Sequence, residues 1–189
     1  LAFSPDGILY GVDNSTDQLL TINLTTGAGA TVGALGVNVM DVGLAFDMAG
    51  NLWMVDDWTQ YLYSVNPDTG QATVVGSLGQ QVTGLTARGM TLYGLGGDYT
   101  GNLLTINTTT GAATSVGSLV NVTVNDGGLD FDRFGTLWGI SDTNPDTIFT
   151  IDPATGEVLE ITTALGMGGI EGMAIFVAPR QIYLPLVLS

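Results

Sequence analysis

Residues 43–57 read GLAFDMAGNLWMVDD: an apolar run, a short polar turn, a second apolar run and a pair of aspartates. Two apolar runs joined by a few turn-forming residues that include glycine predict a β-hairpin. The same construction recurs as LAFSPDGILYGVD from residue 1, GLTARGMTLYG from 84 and GLDFDRFGTLWGI from 128. Aligned, these stretches place Leu1, Leu44, Leu85 and Leu129 in one column, with Met173 next, at steps of 43, 41, 44 and 44 residues. The intervening sequence keeps the same beat: LLTINLTTGAGATVGALG (19–36), LYSVNPDTGQATVVGSLG (62–79), LLTINTTTGAATSVGSLV (103–120) and IFTIDPATGEVLEITTAL (148–165). A period of about 40 to 50 residues is the mark of propellers, solenoids or arrays.

Inside each repeat, Gly, Pro, Asn and Asp cut the chain into four short runs rich in β-branched, leucine and aromatic residues, which predicts four strands, a to d. In the second repeat these fall near Gly43 to Phe46, Asn51 to Val55, Tyr61 to Asn66 and Gln71 to Gly76. Strand b, NLWMV, is apolar on both faces, as a strand buried on both faces must be, whereas strands c and d tend to alternate. Burial that fades from the middle of the unit toward its edge fits radial sheets stacked face to face; a solenoid would alternate inside and outside along every strand. The expected fold is all-β, with propeller-like blades of four antiparallel strands. The repeats run at about 1–42, 43–83, 84–127 and 128–171, with a partial fifth at 172–189. Trp53, Trp138, Tyr10 and Tyr93 share one strand-b position and are expected in the core, while Trp58 lies in a loop.

The motifs GLAFD, GNLW and LYSVNPDTGQATVVGSLG resemble the repeats of secreted or surface-located bacterial β-propeller proteins, from Leu1 to about Val177. The resemblance implies the fold and a place outside the cell or at its surface. It leaves activity open, because propellers host lectins, hydrolases, scaffolds and adhesins alike. That family often has six or more repeats; this chain has four and a half.

Composition removes whole classes of function. The 189 residues carry 18 acids against three arginines, Arg88, Arg133 and Arg180, for a net charge of -15, and there is no histidine, lysine or cysteine. So acidic a chain repels phosphate backbones, and nucleic acid is not an expected partner. Without histidine or cysteine there is no Ser-His-Asp triad, no thiol nucleophile and no zinc site of the usual nitrogen and sulfur ligands; without lysine there is no Schiff base. Carboxylate chemistry, oxygen-ligated cations and plain binding remain. Hydrophobic residues at 45% with charged residues at 11% are the opposite of the disordered acidic signature. The apolar run IYLPLVL at 182–188 is far short of the roughly 18 residues a membrane span needs. The chain opens on Leu1 without a basic region followed by an apolar stretch, which reads as a mature or trimmed product.

Three acids stand just before strand a, the strand expected to line a central channel: Asp41, Asp126 and Glu171. Converging on one mouth, they would suit calcium, which takes six to eight oxygen ligands. As ordinary turn residues they would instead bond the local backbone, and Val82 and Thr83 stand where the third repeat would need its acid. No cofactor is expected beyond calcium. The loop acids after strand b, namely Asp13, Asp17, Asp56, Asp57, Asp98, Asp142 and Asp146, do not match an EF-hand loop. Glycoside hydrolysis needs two carboxylates about 5 to 10 Å apart. Of the three glutamates, Glu157 and Glu160 fall in an outer strand, which leaves Glu171. Glycosylation sequons occur at Asn14, Asn23, Asn107 and Asn121, in turns and strand ends where sugar would be accommodated.

Residues 172–189 map onto strands a and b of a fifth repeat. Their last run, with Ile182, Tyr183, Leu184, Leu186, Val187 and Leu188, is almost wholly apolar, and an uncovered apolar edge invites pairing with another chain. A terminal strand at 178–189 donated between copies would make a head-to-tail contact, and an unclosed series of such contacts grows into a filament. Pro185 offers no donor and must face away from the ladder. The function expected from sequence is a non-enzymatic extracellular structural or interaction protein that self-associates by strand complementation. The alternative is a ligand-binding propeller, lectin-like or calcium-binding, followed by a carboxylate-dependent glycoside hydrolase. The expected partners are copies of the chain and, in the alternative, carbohydrate.

Overall fold

A computed structural model describes residues 1–97, 99, 101–143, 146–163 and 172–176. The described residues contain sixteen strands and no helix. Blade one is β1 (Ala2–Phe3), β2 (Leu9–Asp13), β3 (Gln18–Ile22) and β4 (Gly29–Ala34). Blade two is β5 (Val42–Phe46), β6 (Leu52–Asp56), β7 (Tyr61–Val65) and β8 (Ala72–Ser77). Blade three is β9 (Val82–Arg88), β10 (Thr91–Gly96), β11 (Asn102–Ile106) and β12 (Ala113–Ser118). Blade four is β13 (Gly127–Phe131), β14 (Leu137–Ser141), β15 (Thr147–Ile151) and β16 (Val158–Thr163). Each blade is an antiparallel meander in chain order, and the four form a propeller ring. The first strands are innermost: β1 meets β5, β5 packs on β9, and β9 on β13. In blade two every strand lies within one residue of the position read from sequence.

The turns are set by side chains that compete for backbone donors. Asn66 Oδ1 accepts from the N–H groups of Asp68 and Thr69 at 2.8 and 3.0 Å, and Asn23 and Asn107 repeat this two and three residues ahead. The turn closes on Gly70 at φ +82°, a conformation that side-chain-bearing residues seldom adopt. Three apolar layers lie between successive blades. Leu19, Leu35, Leu44 and Met54 fill the first, Leu62, Leu78, Leu85 and Leu104 the second, and Leu103, Leu119, Leu129 and Phe149 the third. Each such buried side chain contributes about 1.5 to 3 kcal/mol relative to exposure.

The outer edges are held by close backbone approach. A bulge in β4, β8 and β12 leaves Val32, Val75 and Val116 out of the pairing. The next residue, Gly33, Gly76 or Gly117, then faces the c-to-d turn of the following blade. A Cβ on any of the three would overlap the carbonyl oxygen of Thr69, Thr110 or Thr155. The Ala72 N–H donates to Leu35 O at 2.9 Å, and Ala113 N–H to Leu78 O at 3.1 Å, completing the clasp. Blade four is built differently. Its bulge falls at Leu159, which is exposed, and Thr162 stands where the other blades have glycine.

Of the four aromatic side chains expected in the core, Tyr10 is buried, whereas Trp53, Trp138 and Tyr93 are half-buried. For the two tryptophans the difference has a polar cause: each indole N–H turns toward an acceptor in its own hairpin.

Candidate functional site

In the hairpins of blades two and four, one aspartate organises the turn from strand a to strand b. Asp47 Oδ1 accepts from Ala49 N–H at 2.9 Å and Asn51 N–H at 3.0 Å. Its Oδ2 accepts from Asn51 Nδ2 at 2.8 Å and Trp53 Nε1 at 3.0 Å. Asp132 does the same with Phe134 and Thr136 N–H, both at 2.9 Å, and Trp138 Nε1 at 3.2 Å. Burial pushes the pKa of Asp47 up, but the bonds from Asn51, Trp53 and Ala49 outweigh it and hold the carboxyl below its usual range. Asp132 is lowered by the same balance, with Thr136 and Trp138 against desolvation. In blades one and three, Ser4 and Arg88 replace the aspartate, and Tyr10 and Tyr93 replace the tryptophan. The tyrosine rings pack instead on the next inner strand, Tyr10 on Phe46 at 5.2 Å and Tyr93 on Phe131 at 5.4 Å between centroids.

These hairpins surround a cup of about 690 Å³ on the ring axis, lined by the ends of β1, β5, β9 and β13, their turns, and Ile175 and Phe176. Its walls include Phe3, Phe46, Phe131 and Phe134, and its rim carries Arg88 and Arg133. Toward the other end the axis narrows to about 20 Å³ between the glycines Gly43, Gly84, Gly127, Gly128 and Gly172. The cavity is thus a cup open on the a-to-b side.

Asp130 lies in the cup wall and ties three elements together. It accepts from Thr86 Oγ1 at 2.8 Å, from Phe131 N–H at 2.8 Å and from Ile175 N–H at 2.6 Å. Burial raises its pKa despite these bonds. A carboxyl raised in the folded state makes the fold more stable as pH falls from the folded pKa toward the unfolded value. Asp130→Asn deletes the desolvated charge and keeps one oxygen for Thr86 and Phe131, but sets an amide NH2 against the Ile175 N–H that the second oxygen served. The melting temperature of the variant is therefore expected to lose the parent's rise on acidification from neutral pH toward the unfolded aspartate value, as scans at several pH values would show.

The sequence-expected metal set does not coincide with this cup. Asp41 and Asp126 precede β5 and β13, at the opposite ends of those strands. The carbonyls of the two residues play one equivalent role, accepting from Asp57 and Asp142 N–H at 2.9 Å each. Glu171 lies outside the described residues, as does the expected assembly strand with Ile182, Tyr183, Leu184, Leu186, Val187 and Leu188. Among the described residues no three acidic side chains gather in a metal-binding group. Several loop acids serve the local backbone: Asp13 accepts from Ser15 and Thr16, and buried Asp56 from Met40, Asp41 and Thr59. All four sequon asparagines are exposed. Asn14 Nδ2, the atom a sugar would need, donates to Met40 O at 2.5 Å. No helix among the described residues is long and apolar enough to cross a membrane.

Sequence reasoning missed Arg88, Arg133, Asp130 and the two aspartate–tryptophan pairs. The signal was present in the repeat alignment, which puts both arginines in the a-to-b turns of neighbouring repeats and pairs tryptophan with aspartate in two repeats out of four.

No family model and no curated protein sequence matches the chain. Solved structures do match it. Hydrazine synthase from Kuenenia stuttgartiensis aligns at 20% identity and TM-score 0.61 over 86% of this chain and 48% of its own. Nidogen, in a complex with laminin, aligns at 18% and 0.68 over 93% and 67%. Virginiamycin B lyase from Staphylococcus aureus aligns at 16% and 0.59 over 91% and 57%. The chain thus spans about half to two thirds of the length of these proteins, and at such identity the likeness is one of propeller fold.

Proposed function

We propose that the chain is a non-enzymatic binding module, placed outside the cell or at its surface, that takes a ligand in the axial cup. The cup carries the reading: its volume suits a small-molecule site, typically about 300 to 1,000 Å³, and its mixed apolar and polar walls include five phenylalanines. A carboxylate hydrolase needs two acids free to exchange protons with substrate. Here Asp47 and Asp132 spend their oxygens on their own hairpins, and Asp130 holds Thr86 and Ile175. Neutral, anionic and cationic small molecules should be screened by thermal shift, since a ligand of the native state raises its melting temperature. Hits whose shift is lost in Phe134→Ala or Met48→Ala, two exposed rim residues, support the reading. An absence of hits, or hits indifferent to both substitutions, overturns it.

Self-association is the second reading, favoured by the outer strand of blade four, where Leu159 and Ile161 are exposed, whereas residues 172–176 spend their contacts inside the chain, between blade four and blade one. Gly128 packs on Gly172 and Met173 as Gly43 packs on Gly84 and Gly84 on Gly128, so this segment continues the inner ring at a fifth position. Phe176 reaches Phe3 at 5.1 Å. Blade-on-blade stacking at blade four is opposed by Thr162, whose Cβ occupies the place where a neighbouring turn would dock. Pairing of strands outside 172–176 is the remaining route. Negative-stain micrographs of concentrated protein test it: filaments support assembly, and uniform single rings count against it.

A further inference from the structure

We propose that the axial cup selects a small carboxylate with an apolar, preferably aromatic, body, held by Arg88 and Arg133; this rests on the binding reading above. The chain has three cationic side chains against 18 acids, and two of the three stand at one rim. They also converge on one hairpin. Arg88 reaches from the end of β9 to blade four, with Cζ 5.5 Å from the centre of the Phe131 ring and Nη2 against Gly135, where a Cβ would lie 2.8 Å away. Arg133 Cζ lies 4.6 Å over Phe134 in the same turn. Both arginines are exposed, and among the described residues neither forms an ion pair with an acid. A ring face takes up little of a guanidinium's hydrogen-bonding capacity, so donors in a fixed fork remain for a carboxylate, which they match in geometry.

Two opposing charges must be weighed. The nearby Asp47 and Asp132 carboxylates are turned into their hairpins by the bonds to Trp53 and Trp138, and Asp130 in the cup wall is occupied by Thr86, Phe131 and Ile175, so the guanidiniums present the accessible charge. The net charge of -15 repels any anion, but charges further off than about 8 Å are largely screened at physiological ionic strength, while a contact with arginine is not. Phe3, Phe46 and Phe131 supply the wall for the apolar body, and the glycine-lined narrowing limits its depth.

The test is calorimetric titration of the intact chain at neutral pH and physiological ionic strength. The probes are 2-naphthoate, the isosteric neutral 2-naphthamide, cationic 2-naphthylmethylamine, and the peptide Gly-Gly-Phe as free acid and as C-terminal amide. Naphthoate is expected to bind at least about tenfold more tightly than the amide, and the amine not to bind. Arg88→Gln and Arg133→Gln should each weaken naphthoate by roughly tenfold, and together erase its advantage over the amide, with the native fold retained by circular dichroism. A stronger response to Gly-Gly-Phe acid than to naphthoate assigns the carboxylate to a chain end; the reverse assigns it to a free acid. Equal binding of naphthoate and naphthamide, both weakened by Phe134→Ala, overturns the carboxylate proposal and leaves the cup as a binding site. Naphthoate binding that ignores all three substitutions overturns both, and failure of every probe to bind overturns the carboxylate proposal.

Discussion

Gly76→Ala is expected to lower stability by about 3 kcal/mol or more, because its Cβ would overlap the Thr110 carbonyl oxygen and the blades must separate to admit it. The obstacle is backbone, held by the Ala113 N–H bond to Leu78 O, so no rotamer change relieves it. For a chain of this size that loss corresponds to a fall in melting temperature of roughly 10 °C. Gly33→Ala and Gly117→Ala should behave alike, since Thr69 and Thr155 stand in the same relation to them. Thr162→Gly is the control. Thr162 is exposed, so it should show only the strand-propensity cost of glycine, under about 1 kcal/mol. Calorimetric melts of the four variants separate the two behaviours.

Asp47→Ala is the second large effect, with an expected loss of about 3 kcal/mol. The residue is 2% exposed and accepts four hydrogen bonds; alanine deletes all four, empties a buried position and strands the half-buried Trp53 N–H, while the exposed Ala49 and Asn51 donors turn to water. The sign with pH is fixed by its lowered folded pKa. The stabilisation is fully present above the unfolded aspartate value of about 3.9 and is lost as pH falls through the lower folded value. Parent and variant should therefore keep a constant gap at neutral pH and converge only in strong acid. Trp53 fluorescence is the natural readout, since its indole loses its acceptor in the variant.

The strand order was legible in the sequence because two signals agreed: the spacing of the leucine column and the position of glycine and asparagine in each turn. The burial of strand b was legible for Leu52 and Met54. It misled for Trp53, because hydropathy does not register that an indole N–H must find an acceptor. The cup was not legible for a different reason. Its residues belong to separate repeats and meet only because the inner strands stand around one axis. Arg88 shows this best: in sequence it is a lone charge beside glycine, and only the ring brings it to Phe131 and Gly135, more than 40 residues on. The acids before strand a stand where the repeat alignment put them, Asp41 directly before β5 and Asp126 directly before β13, at the end of the strands away from the cup.

The most direct test of an axial binding face uses the methionine methyl groups as reporters, with ¹³C-methyl labelling and nuclear magnetic resonance during a naphthoate titration. Met48 lines the cup, Met40 is exposed at the other end of β5, and Met54 is buried between blades one and two. A five-residue strand separates Met40 from Met48 by roughly 17 to 20 Å, so one ligand cannot touch both. The predicted result is a saturable shift of the Met48 resonance, with Met40 and Met54 unmoved. A shift at Met40 with Met48 unmoved, or no shift at any methionine, would contradict a ligand site in the cup.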